Sequence, residues 1–181
     1  MRYLLALVMT LFGAGSALAG PEETVRWIYE SYQSGAPGPR GYAALSQADR
    51  RGDYLTERLR ALHAANDTHG NDLASACVDF AFDIPGQDYD AAEIARTLQI
   101  SSTGTETAQD VTARFTNFGT PAEITYHFVP EDGLWKIDDI TGPGWRVSEI
   151  PCAPAQSGAN GVSASPPPET GTYCYRTQDD T

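Results

Sequence analysis

The sequence predicts an α+β fold in which helices come first and an antiparallel sheet follows. Three observations lead there: an amphipathic segment directly after the leader, a second leucine-striped segment, and four short alternating runs joined by tight turns. Segregated helices and strands of this kind place the helices on one face of the sheet.

The leader is "MRYLLALVMTLFGAGSALAG": one basic residue, an apolar run of about ten residues, and small residues ending in Ala17-Leu18-Ala19. That is the pattern of a secretory signal peptide with an A-x-A cleavage site, and the run is too short to span a bilayer, which takes about twenty residues. The expected mature protein starts near Gly20, after cleavage near Ala19, and resides in the periplasm or outside the cell. Residues 20–150 read as one domain and 151–181 as a Pro/Gly/Ser-rich tail. Removing Arg2 leaves 11 basic against 24 acidic residues. This surface would repel nucleic acid and anionic membrane, and no later segment has the length to insert in a bilayer.

In "PEETVRWIYESYQ", Val25, Ile28, Tyr29 and Tyr32 recur at i, i+3, i+4, i+7, and Pro21, Glu22 and Glu23 suit a first turn. "SGAPGPRG" breaks this helix. "DYLTERLRALHAAN" predicts a second one, with Asp53 as N-cap, Leu55, Leu59 and Leu62 as its stripe, and His63 at the stripe's edge. Strands are expected at 96–102, 108–118, 121–129 and 134–140, with "STGTE", "GTP" and "EDG" between them. Links this short make a meander.

Three cysteines, Cys77, Cys152 and Cys174, enter an oxidising compartment. Pairing Cys152 with Cys174 would close the Pro/Gly-rich tail into a loop and is the expected disulfide; the alternative joins Cys77 to a tail cysteine, and spacing does not choose between them. No C-x-x-C pair is present to suggest a zinc site.

The segments "VRWIYESY" and "YLTERLRAL", the acidic stretch "CVDFAFDIPGQD" and the closing hairpin "VPEDGLWKIDDI" resemble a family of bacterial periplasmic proteins of unknown function. That family has the nuclear transport factor 2-like fold, shared with ketosteroid isomerase. The resemblance covers residues 22 to 141. It implies a curved sheet wrapped as a cone around a long helix, with a pocket at the open end and a sheet face that supports homodimers. It implies no catalytic residues, since fold does not determine function.

A two-residue type I′ turn at Asp132-Gly133 sets Glu131 opposite Leu134, Pro130 opposite Trp135, Phe128 opposite Ile137 and Tyr126 opposite Asp139. The other face then pairs Val129 with Lys136, His127 with Asp138 and Thr125 with Ile140. On this register Asp139 points inward beside Tyr126. A carboxyl under an apolar roof has its pKa raised and marks candidate sites, so Asp139 and Tyr126 are the catalytic candidates, and Tyr126, Asp139, Phe128 and Trp135 the expected pocket. Asp79, Asp83 and Asp88 offer the oxygen donors calcium prefers. The EF-hand spacing is not met, so the segment reads as a connector anchored by Phe80, Phe82 and Ile84, with no metal assigned.

The function these residues predict is a soluble binding or interaction protein, holding a small ligand or a partner protein and needing no cofactor. The competing reading is a cofactor-independent isomerase, dehydratase or hydrolase built on Asp139 and Tyr126. General acid–base work needs two groups converging on one substrate atom, and the chain offers one inward acid.

Overall fold

A computed structural model describes residues 20–155, apart from Asn71 and Leu73. The expected signal peptide and most of the tail, including Cys174, lie outside the described residues. Helix α1 spans Pro21–Glu30 and continues as a 3-10 turn over Ser31–Gln33; α2 (Gly41–Leu45), α3 (Arg51–Tyr54), α4 (Glu57–Asp67) and α5 (Ala91–Thr97) follow. Then come β1 (Gln99–Gly104), β2 (Gln109–Asn117), β3 (Thr120–Glu131), β4 (Leu134–Gly142), β5 (Trp145–Arg146) and a last 3-10 turn at Val147–Glu149. The strands form one antiparallel sheet in the order β1-β2-β3-β4-β5. The class is α+β, as the sequence predicts. Among the described residues no helix is long and apolar enough to cross a membrane.

One sheet face carries Val111, Ala113, Phe115, Ile124, Tyr126, Phe128, Ile137 and Ile140, all buried, and packs on Val25, Ile28 and Tyr29 of α1 and on Leu45, Leu55, Leu59 and Ile94. The Tyr29 and Phe115 rings lie 5.0 Å apart. The opposite face is polar: Thr112 meets Thr125 at 3.0 Å, Arg114 pairs with Glu123 at 2.7 Å, and His127 bridges Asp110 (2.7 Å) and Thr141 (2.9 Å). This alternation of apolar and polar positions is what a sheet covered on one side requires.

The second predicted helix is divided. The chain leaves helical geometry at Leu55, which forms a parallel bridge with Ile137, and the Thr56 N–H donates to the Ile137 carbonyl at 3.0 Å. Asp53 therefore lies inside α3 and caps nothing; Thr56 precedes α4 and sends its hydroxyl to Asp138 at 2.9 Å instead of to the helix. Tertiary pairing to β4 outweighs local helix propensity here.

The hairpin register is the second correction. Asp132 and Gly133 both have positive φ (56° and 77°), as a type I′ turn requires. The pairs Glu131–Leu134, Pro130–Trp135, Val129–Lys136 and Phe128–Ile137 follow as expected. Between His127 and Phe128 the register then shifts, so that His127 opposes Asp139, Tyr126 opposes Ile140 and Thr125 opposes Thr141. The reason is apolar burial. Ile137 and Ile140 are three residues apart, an odd spacing that a regular strand sends to opposite faces; one extra residue, Asp138, lets both enter the core and turns Asp139 out of it.

The disulfide is the third. Cys77 is bonded to Cys152, with the Cα atoms 5.2 Å apart. Cys152 is therefore not available to Cys174, and the chain leaving the sheet is tied to the body beside α4. Asn66 prepares the site by accepting the N–H groups of Cys77 (2.9 Å) and Val78 (3.1 Å) on its side-chain oxygen.

Candidate functional site

The catalytic candidates do not converge. Tyr126 is fully buried on the core face, where its hydroxyl meets that of Tyr29 at 3.2 Å, and Tyr29 in turn donates to the Asp83 carbonyl at 3.1 Å. Asp139 stands on the other face. Its Oδ1 accepts the N–H groups of Ile140 and Ser148, both at 3.0 Å, and Oδ2 accepts from Arg146 Nε at 2.6 Å. Burial alone would raise its pKa, but the hydrogen bonds from Arg146, Ser148 and Ile140 outweigh burial and hold the carboxyl below its ordinary value. A carboxylate with its lone pairs engaged in this way is a structural anchor and a poor proton acceptor for a substrate. Phe128 is buried in the core, and Trp135 packs against it partly exposed. The four expected pocket residues are thus split between two sheet faces.

The acidic segment also resolves into structure. Asp83, 2 % exposed, accepts the Tyr32 hydroxyl and the Tyr42 N–H on Oδ2, each at 2.7 Å. Burial raises its pKa against those two bonds. Gly41 has φ +60°, and a Cβ there would stand 1.9 Å from Asp83 Oδ2, so the close approach of this turn needs glycine. Asp79 and Asp88 are exposed, and among the described residues no group of three His, Cys, Asp or Glu side chains is arranged for a metal ion. His63, at the predicted stripe edge, meets the Tyr42 hydroxyl at 2.8 Å, and burial lowers its pKa to about 4.

A concave feature lies elsewhere, at the end of the sheet where β2 turns into β3. It is a groove of about 870 Å³ whose walls include Pro85, Tyr89, Asn117, Phe118, Pro121 and Pro143. Phe118 stands at its edge, 62 % exposed, with φ +48°. Phe118 and Gly119 (φ +74°) are the two central residues of a turn closed by the Asn117–Thr120 pair. Gly suits such a turn; a bulky aromatic there is a genuine outlier.

The surroundings hold this outlier in place. Asn117 Oδ1 accepts the Asp90 N–H at 2.9 Å and its Nδ2 donates to the Asp88 carbonyl at 3.0 Å, fastening the acidic segment to the end of β2. The Gly119 N–H donates to Glu93 on α5 at 3.1 Å. Asp90 caps α5 by accepting the Glu93 N–H at 3.0 Å. Tyr89 packs edge-on against Tyr32 of the 3-10 turn, with ring centroids 4.7 Å apart. The result is a trough with Pro85, Pro121 and Pro143 in its walls and two exposed aromatic rings, Tyr89 and Phe118.

On sequence alone the acidic stretch reads as a connector, Asn117 and Phe118 as the end of the strand expected at 108–118, and "GTP" as strand punctuation. One signal was present: "NFGT" puts Gly second in a two-residue link between strands, which places Phe118 first, at positive φ.

No protein-family model matches the chain, and no curated protein matches it. Among solved structures it is similar to a chain of the type VI native effector–immunity complex Tae3–Tai3 from Ralstonia pickettii, with TM-score 0.46 and 20% identity over 70% of this chain and 96% of that one. It is similar likewise to a chain in the selenomethionine form of that complex, with TM-score 0.44 and 21% identity over 70% and 97%. Likeness of this degree assigns no function.

Proposed function

We propose that this chain is an exported interaction protein that holds a partner protein at the groove beside Phe118. The observation that carries the reading is Phe118 itself: a large apolar side chain, mostly in solvent, kept in a strained backbone conformation next to this groove. Strain of about 1–3 kcal/mol persists where the surrounding structure enforces it, and such sites cluster at binding surfaces. Exposed aromatics beside a shaped pocket are the usual anchors of protein interfaces. The chain's net charge of −12 complements a partner with a basic rim around the residue that enters the groove.

Export is part of the proposal. It is supported by the leader sequence and by the Cys77–Cys152 disulfide, a bond that persists in oxidising compartments. Kinship with the nuclear transport factor 2-like proteins is proposed on the quoted segments and on helices packed against one face of a meander. The catalytic alternative has no support from geometry, because Asp139 and Tyr126 stand on opposite faces.

Site-specific photocrosslinking in the cell envelope tests the reading, with the crosslinker at position 118 and a control at Arg114 on the polar face. One protein should be trapped from position 118 alone. That protein, purified, should bind Phe118→Asp at least about tenfold more weakly than wild type. Equal labelling from both positions, or binding indifferent to Phe118→Asp, would overturn it.

A further inference from the structure

The trough beside Phe118 has a definite chemistry. Its walls carry three exposed prolines, Pro85, Pro121 and Pro143, and two exposed rings, Tyr89 and Phe118. The Tyr89 hydroxyl accepts from Arg40 Nη1 at 3.4 Å, which leaves its own hydrogen to donate, and the exposed Gln87 amide supplies a second donor. An aromatic-lined groove is what a polyproline II segment docks into. Its rings pack on the aromatic faces, and its carbonyls, which the segment itself leaves without partners, take the donors.

Such a segment occurs in this chain. Pro166, Pro167 and Pro168 follow one another in the stretch beyond Ala155, outside the described residues. No charged residue occurs from 156 to 168, so this stretch brings no carboxylate of its own to the acidic body. The disulfide brings the triplet within reach. Cys77 stands eight positions before Pro85, and its Cα is 5.2 Å from that of Cys152, so Pro85 lies at most about 34 Å from Cys152 at about 3.6 Å per residue. The bends between Cys77 and Pro85 shorten that gap further. Fourteen positions lead from Cys152 to Pro166, an extended length of about 46–50 Å.

Other hollows suit the triplet less well. The one beside the departing tail, which includes Leu62, Ile150 and Pro154, has no aromatic ring in its lining. The Trp27 and Tyr54 rings already carry the Arg50 guanidinium, 5.3 Å and 5.5 Å from their centroids.

We propose that the 166–168 triplet docks between Tyr89 and Phe118 of its own chain and covers the groove until a partner displaces it. Displacement by a partner rests on the function proposed above; the contact of the triplet with the groove does not. A tether of this length holds the triplet at an effective concentration of about a millimolar. Any other ligand of the groove is therefore weakened by the fraction of molecules in which the tail is docked.

The experiment compares the full exported chain with its Pro166→Ala, Pro167→Ala, Pro168→Ala variant by two-dimensional NMR. It reads the Phe118 and Gly119 amides, with the Trp27 indole N–H as the control. The substitutions should move both groove amides and leave the Trp27 signal in place. A peptide of residues 163–170 should return the groove amides of the variant toward their wild-type positions. It should bind the variant at least about fivefold more tightly than wild type, where it competes with the internal occupant. Adding Phe118→Asp to the variant should weaken the peptide at least about fivefold. Near-ultraviolet circular dichroism establishes that each variant is folded. Groove amides indifferent to the proline substitutions, or a peptide that moves the Trp27 signal instead, would overturn the proposal. Wild-type groove signals that change with protein concentration would assign the triplet to a second copy and overturn the contact within one chain. A partner trapped from position 118 while the proline substitutions leave the groove amides unmoved would end the tail contact alone. Docking of the triplet with no protein trapped even from the proline variant would end the partner reading alone.

Discussion

Asp139 Oδ2 accepts a 2.6 Å hydrogen bond from Arg146 Nε, which ties the last full strand to the two-residue strand β5. With the Ile140 and Ser148 N–H groups on Oδ1, this carboxylate organises the turn that ends the sheet. Asp139→Ala strands three donors and should cost about 2–3 kcal/mol, read as a lower urea midpoint. Asp139→Asn should cost less. Because the folded carboxyl titrates below its ordinary value of 3.8, its stabilisation is complete above that pH and is lost as pH falls through the depressed folded value. Asp139→Asn should abolish that acid loss.

Asp83 has the opposite sign. Its folded pKa is raised, so the folded state holds the proton more tightly than the unfolded chain, and stability rises as pH falls from the raised value toward 3.8. Asp83→Asn keeps an acceptor without the buried charge and should remain within about 1 kcal/mol of wild type at pH 7. Asp83→Leu leaves the Tyr32 hydroxyl and the Tyr42 N–H unpaired and should cost about 2–3 kcal/mol. Urea melts at pH 7 and pH 4.5 separate these effects.

Deleting Asp138 tests the bulge. The bulged register already places Ile137 and Ile140 inward with Asp138 as the extra residue, so the deletion should leave a folded sheet. The cost is the lost contacts to Thr56 and Arg58, about 1–2 kcal/mol. An unbulged hairpin would already hold Ile140 outward, and the same deletion would turn every residue beyond Ile137 to the opposite face; a loss of stability well beyond this figure, read as a much lower melting temperature, would count against the bulge.

Phe118→Gly should stabilise the isolated protein by about 1 kcal/mol, because glycine adopts positive φ without the steric cost. It should also weaken partner binding. Raised melting temperature with unchanged partner binding would count against the proposed interface.

Replacing Cys77 and Cys152 together by alanine should lower stability by about 2–4 kcal/mol. Peptide mapping without reductant should find these two cysteines in one linked fragment.

The class, the strand order and the upper half of the last hairpin were legible because they follow from periodicity and turn chemistry. The bulge was also encoded, in Ile137 and Ile140 three apart, but seeing it required weighing two buried isoleucines against a regular ladder. The break at Leu55 was not legible: the leucine stripe runs through it, and only the edge of β4 explains it. Helix α5 was hidden because its capping pair, Asp90 and Glu93, lies at the end of a segment dominated by acids. Phe118 escaped because its meaning depends on where Asn117 and Glu93 fasten the turn, which is a matter of distant partners.

The Cys77–Cys152 bond also makes a covalent ring of the chain between them, and that ring contains α5 and every strand of the sheet. A protease that cuts once inside the ring, at the 105–108 turn for example, opens a circle and releases nothing. Such a nick would escape a non-reducing gel and appear only after reduction, so the chain cut once at such a loop remains one molecule.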